Sequence, residues 1–169
     1  YFKSYNLPVT IIRPFNTFGP RQSARAIIPT IISQALKRDT IKLGLLKAKR
    51  NFNYIDTTID GYIAAIKSRK GIGEIINIGS ELEISVENLV KIIGKNLKKK
   101  LVIKTEKKRI RPEKSEIFRL IADGKKAKKL LNWKTKMNKR YFEESIKKTI
   151  EWYMTSKNQN QINDKIYNI

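Results

Sequence analysis

Strand-like and helix-like stretches alternate along these 169 residues, which places the chain in the α/β class. One observation is the β-branched run Val9-Thr10-Ile11-Ile12, which reads as a buried strand within Leu7 to Arg13. Another is Ala26 to Lys37, where Ile27, Ile28, Ile31, Ile32, Ala35 and Leu36 recur at helical spacing. Between them stands Asn16, in a turn closed by Gly19-Pro20. A strand that hands polar groups to a turn at its C-terminal end is how open α/β sheets build ligand sites.

The remaining elements follow from pattern and punctuation. Phe2 to Tyr5 reads as the end of a helix, closed by Asn6 ahead of Pro8. Pro29 falls in the first turn of its helix, where proline is tolerated. Ile41 to Leu45 reads as a short strand, and Arg50 to Ile55 as an extended segment alternating Phe52 and Tyr54 with polar residues. Asp56 or Thr57 is expected to cap a helix over Thr58 to Lys67, with Ile59, Tyr62, Ile63 and Ile66 on one face. Gly71-Ile72-Gly73 then leads into a strand from Glu74 to Ile78. Ser85 is expected to cap a helix from about Val86 to Leu97 that turns Leu89, Ile92 and Ile93 inward. Leu101 to Thr105 is a short strand, and Asp123 precedes a helix from Gly124 to Leu131. Trp133 reads as a packing residue. The last helix, Tyr141 to Met154, aligns Phe142, Ile146, Ile150 and Tyr153.

Residues 1–154 are expected to form the folded portion, and the polar, Asn-rich residues 155–169 a disordered tail. The strands are too few for a doubly wound sheet. The first strand therefore lacks neighbours, and an exposed sheet edge with marginal stability is expected.

Composition narrows the chemistry. The chain has neither cysteine nor histidine, so thiolate and imidazole catalysis are excluded and no metal site is expected. No stretch approaches the roughly 18 apolar residues of a membrane span, and Tyr1 to Asn6 lacks the apolar core of a signal peptide. A cytoplasmic location and no membrane partner are expected. The net charge is +22, from 37 Lys and Arg against 15 Asp and Glu. Such a balance raises a second class of function, a basic nucleic-acid-binding protein. The densest block, Lys95 to Lys114, contains no aromatic residue to stack on bases. Most of this charge reads as solvated surface, with nucleic acid bound only non-specifically.

The run Arg13-Pro14-Phe15-Asn16-Thr17-Phe18-Gly19-Pro20-Arg21-Gln22 resembles a hallmark segment of the extended short-chain dehydrogenase/reductases, the NAD-dependent epimerase/dehydratase family acting on nucleotide-sugars. Through Leu7 to Ile32 the resemblance is to bacterial UDP-N-acetylglucosamine 4,6-dehydratases in particular. Later landmarks agree in order: Arg50-Asn51-Phe52-Asn53-Tyr54-Ile55-Asp56, Gly73 to Ser80, Arg111-Pro112-Glu113-Lys114-Ser115-Glu116 and Leu131-Asn132-Trp133. The resemblance implies the C-terminal part of a Rossmann-type fold that includes the small substrate-binding subdomain.

By that resemblance the parent enzyme binds NAD or NADP and a UDP-sugar, a UDP-linked N-acetylhexosamine. It oxidises the sugar at C4, eliminates water across C5 and C6, and returns the hydride to C6. A 4-epimerase shares every motif seen here and is the alternative. The glycine-rich cofactor turn and the catalytic Tyr-x-x-x-Lys are expected upstream of Tyr1, so no catalytic residue is assigned in this chain. Tyr153 and Lys157 repeat that spacing at the end of the last helix, and read as a chance match in a chain with many Lys. The chain begins at Tyr1 rather than Met and is expected to be a C-terminal half, inactive without its N-terminal half. The full enzyme is expected to be a homodimer. A relic of a split gene is a third reading.

The same resemblance implies the site. Asn16, Ala26, Ile27, Arg50, Asn77 and Arg111 are the substrate-binding candidates, and Pro14 and Phe15 the cofactor-side candidates. An Asn amide can donate to phosphate or accept from a sugar hydroxyl, and a guanidinium can fork onto a diphosphate. Ala26 and Ile27 need only backbone groups, held against the base. Asn51 stands where the family commonly has Asp, which removes a carboxylate that could orient Arg50. Each residue also has a plainer reading: a turn Asn bonding its own backbone, a surface Arg, an Asn ending a strand. Arg21, Arg25 and Lys114 are weaker candidates, and Glu113, Glu116 and Asp123 form no acid/base pair.

Overall fold

The computed structural model describes residues 1–106, 109–110 and 117–155. The chain runs through α1 (Phe2–Tyr5), β1 (Ile11–Pro14), β2 (Thr17–Phe18), α2 (Ile27–Lys37), β3 (Thr40–Leu43), β4 (Lys49–Asn51), β5 (Asn53–Tyr54) and α3 (Ile55–Lys67). After a 3-10 turn at Arg69–Gly71 come β6 (Ile75–Ile78), β7 (Glu83–Ser85), α4 (Val86–Leu97), β8 (Val102–Thr105), β9 (Arg119–Leu120), α5 (Lys125–Leu131) and α6 (Lys139–Met154). The α/β reading holds. The expected tail beyond Thr155 lies outside the described residues.

These elements form two apolar cores. The larger packs α2, α4 and α6 around Ile28, Ile31, Ile32, Leu89, Ile93, Phe142 and Ile146, all buried. The parallel pair β3–β8 closes one side of it. β4 pairs antiparallel with β7 and in parallel with β9. The Arg119 guanidinium ties β9 to Glu83 of β7, and that hydrogen bond holds the Glu83 carboxyl below its ordinary range. Phe18 meets Phe142 at 5.4 Å and Tyr54 at 5.6 Å, both edge to face, so β2 and β5 are pinned to α6 by aromatic contacts.

The smaller core lies between β1–β6 and the helices α3 and α5, with Ile76, Ile78, Ala127, Leu131 and Trp133 buried. Trp133 packs as expected. β1 pairs in parallel with β6, and with no other strand among the described residues. Its outer edge is open, with Ile11 53% exposed.

Local signals place several ends correctly. Asn6 closes α1 in the left-handed conformation (φ 52°), and Ser85 caps α4 by accepting from the Asn88 N–H at 3.2 Å. α3 departs from expectation. It begins at Ile55, not Thr58, and neither Asp56 nor Thr57 caps it. Its apolar stripe, Ile59, Tyr62, Ile63 and Ile66, faces outward, with Ile66 85% exposed. The inward face is Thr57, Thr58, Gly61 and Ala65. A Cβ on Gly61 would lie 2.6 Å from Ile78 Cγ2, so the helix sits on β6 through its smallest residue.

Candidate substrate site

The site begins where β1 ends. The Phe15 N–H still donates to the Ile78 carbonyl at 2.9 Å, extending the β1–β6 ladder by one bond. Asn16 then turns the chain with φ 23°, a positive value that Asn tolerates better than most residues. Its carbonyl accepts from the Asn53 N–H at 3.2 Å, and β2 pairs with β5 just beyond. Gly19 (φ 157°) passes so close to Ile55 that a Cβ there would lie 2.9 Å from Ile55 Cγ2. The turn is therefore clamped on β5 and the start of α3.

Beside this turn opens a cavity of about 460 Å³. Asn16, Ala26, Ile27 and Arg50 all line it, so four of the six substrate-binding candidates converge although 34 positions separate the first from the last. Arg25 lines it too. Asn77 lies opposite Arg13 in the β1–β6 pair, half-buried, and is not among the lining residues. Pro14 and Phe15 stand at the same strand ends, Pro14 exposed and Phe15 half-buried. Arg111 lies outside the described residues.

Two lining residues, Gln22 and Arg109, were not candidates from sequence. Gln22 belongs to the hallmark run, and its Nε2 donates to the Thr17 carbonyl at 2.7 Å. Its Oε1 is buried with no partner among the described residues. Arg109 comes from the basic block, and its Nε donates to Glu106 at 2.6 Å. Glu106 also meets Lys42 at 3.5 Å. The presence of Gln22 in a ligand-bearing turn was a usable signal. Nothing local marks Arg109 among its many basic neighbours.

The cavity suits an anion. Its charged lining residues are Arg25, Arg50 and Arg109, with no carboxylate among the described ones. It also receives the start of α2, whose first helical bond runs from the Thr30 N–H to the Ala26 carbonyl. Ile27 and Ile28 precede that bond and Pro29 has no N–H, so two amide donors at the positive end of the helix are left without a partner in the helix. Apolar walls from Ile28, Leu43, Phe52 and Val86 suit a ring.

Position 51 does not orient Arg50. Arg50 Nη1 donates to the Lys49 carbonyl at 2.9 Å, whereas Asn51 is buried against Ser80. Tyr153 proves structural. It is buried, its hydroxyl donates to the Gln22 carbonyl at 2.8 Å, and burial pushes its pKa up to about 12. A phenol so held anchors α6 to the cavity loop and is a poor acid/base group near neutral pH.

The family described as GDP-mannose 4,6 dehydratase matches residues 1–149. The chain belongs to this family of extended short-chain dehydrogenases/reductases. It is 31% identical over 155 residues to a UDP-glucuronate 4-epimerase from Thermodesulfobacterium geofontis, covering 90% of this chain and 45% of the relative. It is 32% identical over 162 residues to a dTDP-D-glucose 4,6-dehydratase from Homo sapiens, covering 90% and 43%. Among solved structures, the UDP-glucuronic acid 4-epimerase of Bacillus cereus, in complex with UDP-glucuronic acid and NAD, superposes with a TM-score of 0.79 at 26% identity. That match covers 89% of this chain and 46% of the other. The chain thus spans less than half the length of these relatives, which include both epimerases and dehydratases of the extended family. The Rossmann-type α/β fold expected from sequence agrees with this likeness.

Proposed function

We propose that this chain supplies the sugar-nucleotide site of an NAD(P)-dependent 4,6-dehydratase acting on a UDP-linked N-acetylhexosamine. The observation that carries the reading is the cavity itself, where Asn16, Arg50, Arg109 and the start of α2 converge, and no described lining residue is a carboxylate, Arg109 being held from behind the lining by Glu106. Arg50 and Arg109, with Arg111 nearby in sequence, would fork onto the diphosphate. The backbone of Ala26 and Ile27 would hold the base, and Asn16 and Gln22 would meet the sugar-nucleotide with amide groups. A 4-epimerase is the second reading, favoured by the Thermodesulfobacterium and Bacillus relatives. Both reactions need the same diphosphate and sugar contacts.

The described residues do not form a dinucleotide cradle. Pro14 and Phe15 offer one edge of such a site at the ends of β1 and β6, and the chain has no glycine-rich strand-to-helix turn. The nicotinamide would carry the hydride between sugar carbons. What this chain contributes is orientation and charge neutralisation of the substrate. An N-terminal half would add parallel strands at the open β1 edge and bring the proton-transfer groups. The assembled enzyme is taken to be cytoplasmic; among the described residues, no helix is long and apolar enough to cross a membrane.

Calorimetric titration of the chain with UDP-N-acetylglucosamine, UDP and inorganic phosphate tests the site. Saturable binding of both UDP compounds is expected, and Arg50→Ala should weaken it about tenfold to a hundredfold, the loss of a charged hydrogen bond. Absence of binding, or an equal response to duplex DNA surviving about 0.2 M salt, would overturn the reading in favour of a polyanion-binding protein.

A further inference from the structure

Asn51 is fully buried beside the cavity without lining it. Its Nδ2 donates to the Ser80 carbonyl at 2.8 Å. A carbonyl only accepts, so this bond decides which end of the amide is which. The nitrogen points to Ser80 and the oxygen is left for the other side. There Asn16 Nδ2 approaches Asn51 Oδ1 at 3.5 Å, a long contact of the right polarity. Gly79 leaves the space this amide occupies, since a Cβ there would lie only 2.8 Å from Asn51 Nδ2.

The backbone reinforces this arrangement. Asn51 and Asn53 are two apart on an extended segment and so share a face. Asn53 Nδ2 donates to the Ile78 carbonyl at 3.1 Å, and its N–H holds the Asn16 carbonyl. Ser80 returns a hydroxyl hydrogen bond to the Phe52 carbonyl at 3.3 Å. The β4–β5 segment is thus stitched to the turn after β6, and Asn16 hangs from that seam by its backbone and by its amide.

We propose that Asn51 is a positioning residue for the sugar-nucleotide cavity. By taking one N–H of the Asn16 amide, it leaves Asn16 to present its other N–H and its carbonyl oxygen to the ligand in one orientation. Among the described residues that oxygen has no other partner. An Asp at position 51 would keep an acceptor for Asn16 and lose the donor to Ser80. A Leu of similar size would lose both. The ligand part of this inference rests on the cavity reading above; the positioning part does not.

Side-chain amide hydrogen exchange of Asn16 and Asn51, read by 15N NMR on the full chain, is the test. Asn51→Leu should speed exchange at the Asn16 amide about threefold to tenfold, the release of one neutral hydrogen bond. Asn51→Asp should leave it slow. An Asn16 amide unchanged in Asn51→Leu overturns the proposal. Should Asn51→Leu fail to fold, Asn16→Asp serves at a half-buried position. Its carboxylate would face Asn51 Oδ1, so the Asn51 amide should exchange faster, and an unchanged Asn51 signal overturns the proposal. In titrations with UDP-N-acetylglucosamine, Asn51→Leu should weaken binding more than Asn51→Asp does. If the unsubstituted chain binds no UDP compound, the cavity reading fails, and amide exchange alone decides the positioning role.

Discussion

The two cores of this chain differ in how completely they are closed. The larger one is wrapped by α2, α4 and α6 and buries large side chains from every element that touches it. The smaller one rests on a two-stranded sheet whose β1 edge is open, under a helix that turns Ile59, Tyr62, Ile63 and Ile66 to solvent. Four large apolar residues exposed along one helix face are the pattern expected of an interaction surface. The candidate substrate cavity belongs to the closed region, and the candidate cofactor-side residues Pro14 and Phe15 belong to the open one. The division matches the proposal that sugar-nucleotide binding resides here while the reacting groups arrive on another piece of structure.

Truncation at each core probes this difference most strongly. Phe142→Ala removes a fully buried ring from the closed core and should cost about 3 to 5 kcal/mol in urea denaturation. Ile66→Ala, on the exposed face of α3, should change stability by less than about 0.5 kcal/mol. Equal losses would show that the exposed stripe is covered in solution. Adding a Cβ where α3 rests on β6 comes next. Gly61→Ala meets Ile78 Cγ2 at 2.6 Å, and overpacking of this kind costs about 1 to 3 kcal/mol. Limited proteolysis sharpens the contrast without mutation. Cleavage is expected first near Val9 and Ile11, with fragments of α4 and α6 outlasting it. A resistant core spanning Leu7 to Tyr153 would contradict an open region of low stability.

A pH dependence confined to the alkaline range is expected from Tyr153. Burial raises its pKa from 10 to about 12, so between those values the folded chain holds a proton that the unfolded chain has released. This contribution is complete below pH 10 and is lost as pH rises towards 12. Denaturation midpoints should fall over that window, and less steeply in Tyr153→Phe. An identical slope in the variant would show that other groups cause it.

Much of the local structure was legible. The spacing of Ile28, Ile31 and Ile32 identified both α2 and its buried face, because one helix face there carries nearly all the apolar residues. Ser85 and Asn6 marked helix ends through chemistry confined to a few neighbouring residues. The hallmark run placed Asn16 at a strand end, where it does line the cavity. The alternation of Arg50 to Ile55 was visible as well, but there Phe52 and Tyr54 face the large core while Asn51 and Asn53 are buried on the other side. A period of two reports which residues share a face. It does not report whether the second face meets solvent or Ser80.

By itself, then, the sequence determined the α/β class, most of the elements and the family, since these depend on short-range periodicity, capping and motif order. Only the tertiary structure decided which way α3 faces. Its apolar stripe was the stronger pattern, yet Gly61 and Ala65 let the backbone approach β6 closely, and contact distance governs packing. The tertiary structure also brought Arg109 and Asn16 to one cavity, across 93 positions of chain, and bound Asn51 to Ser80 in place of Arg50. Such pairings depend on where distant segments come to rest, and no local window of residues encodes them.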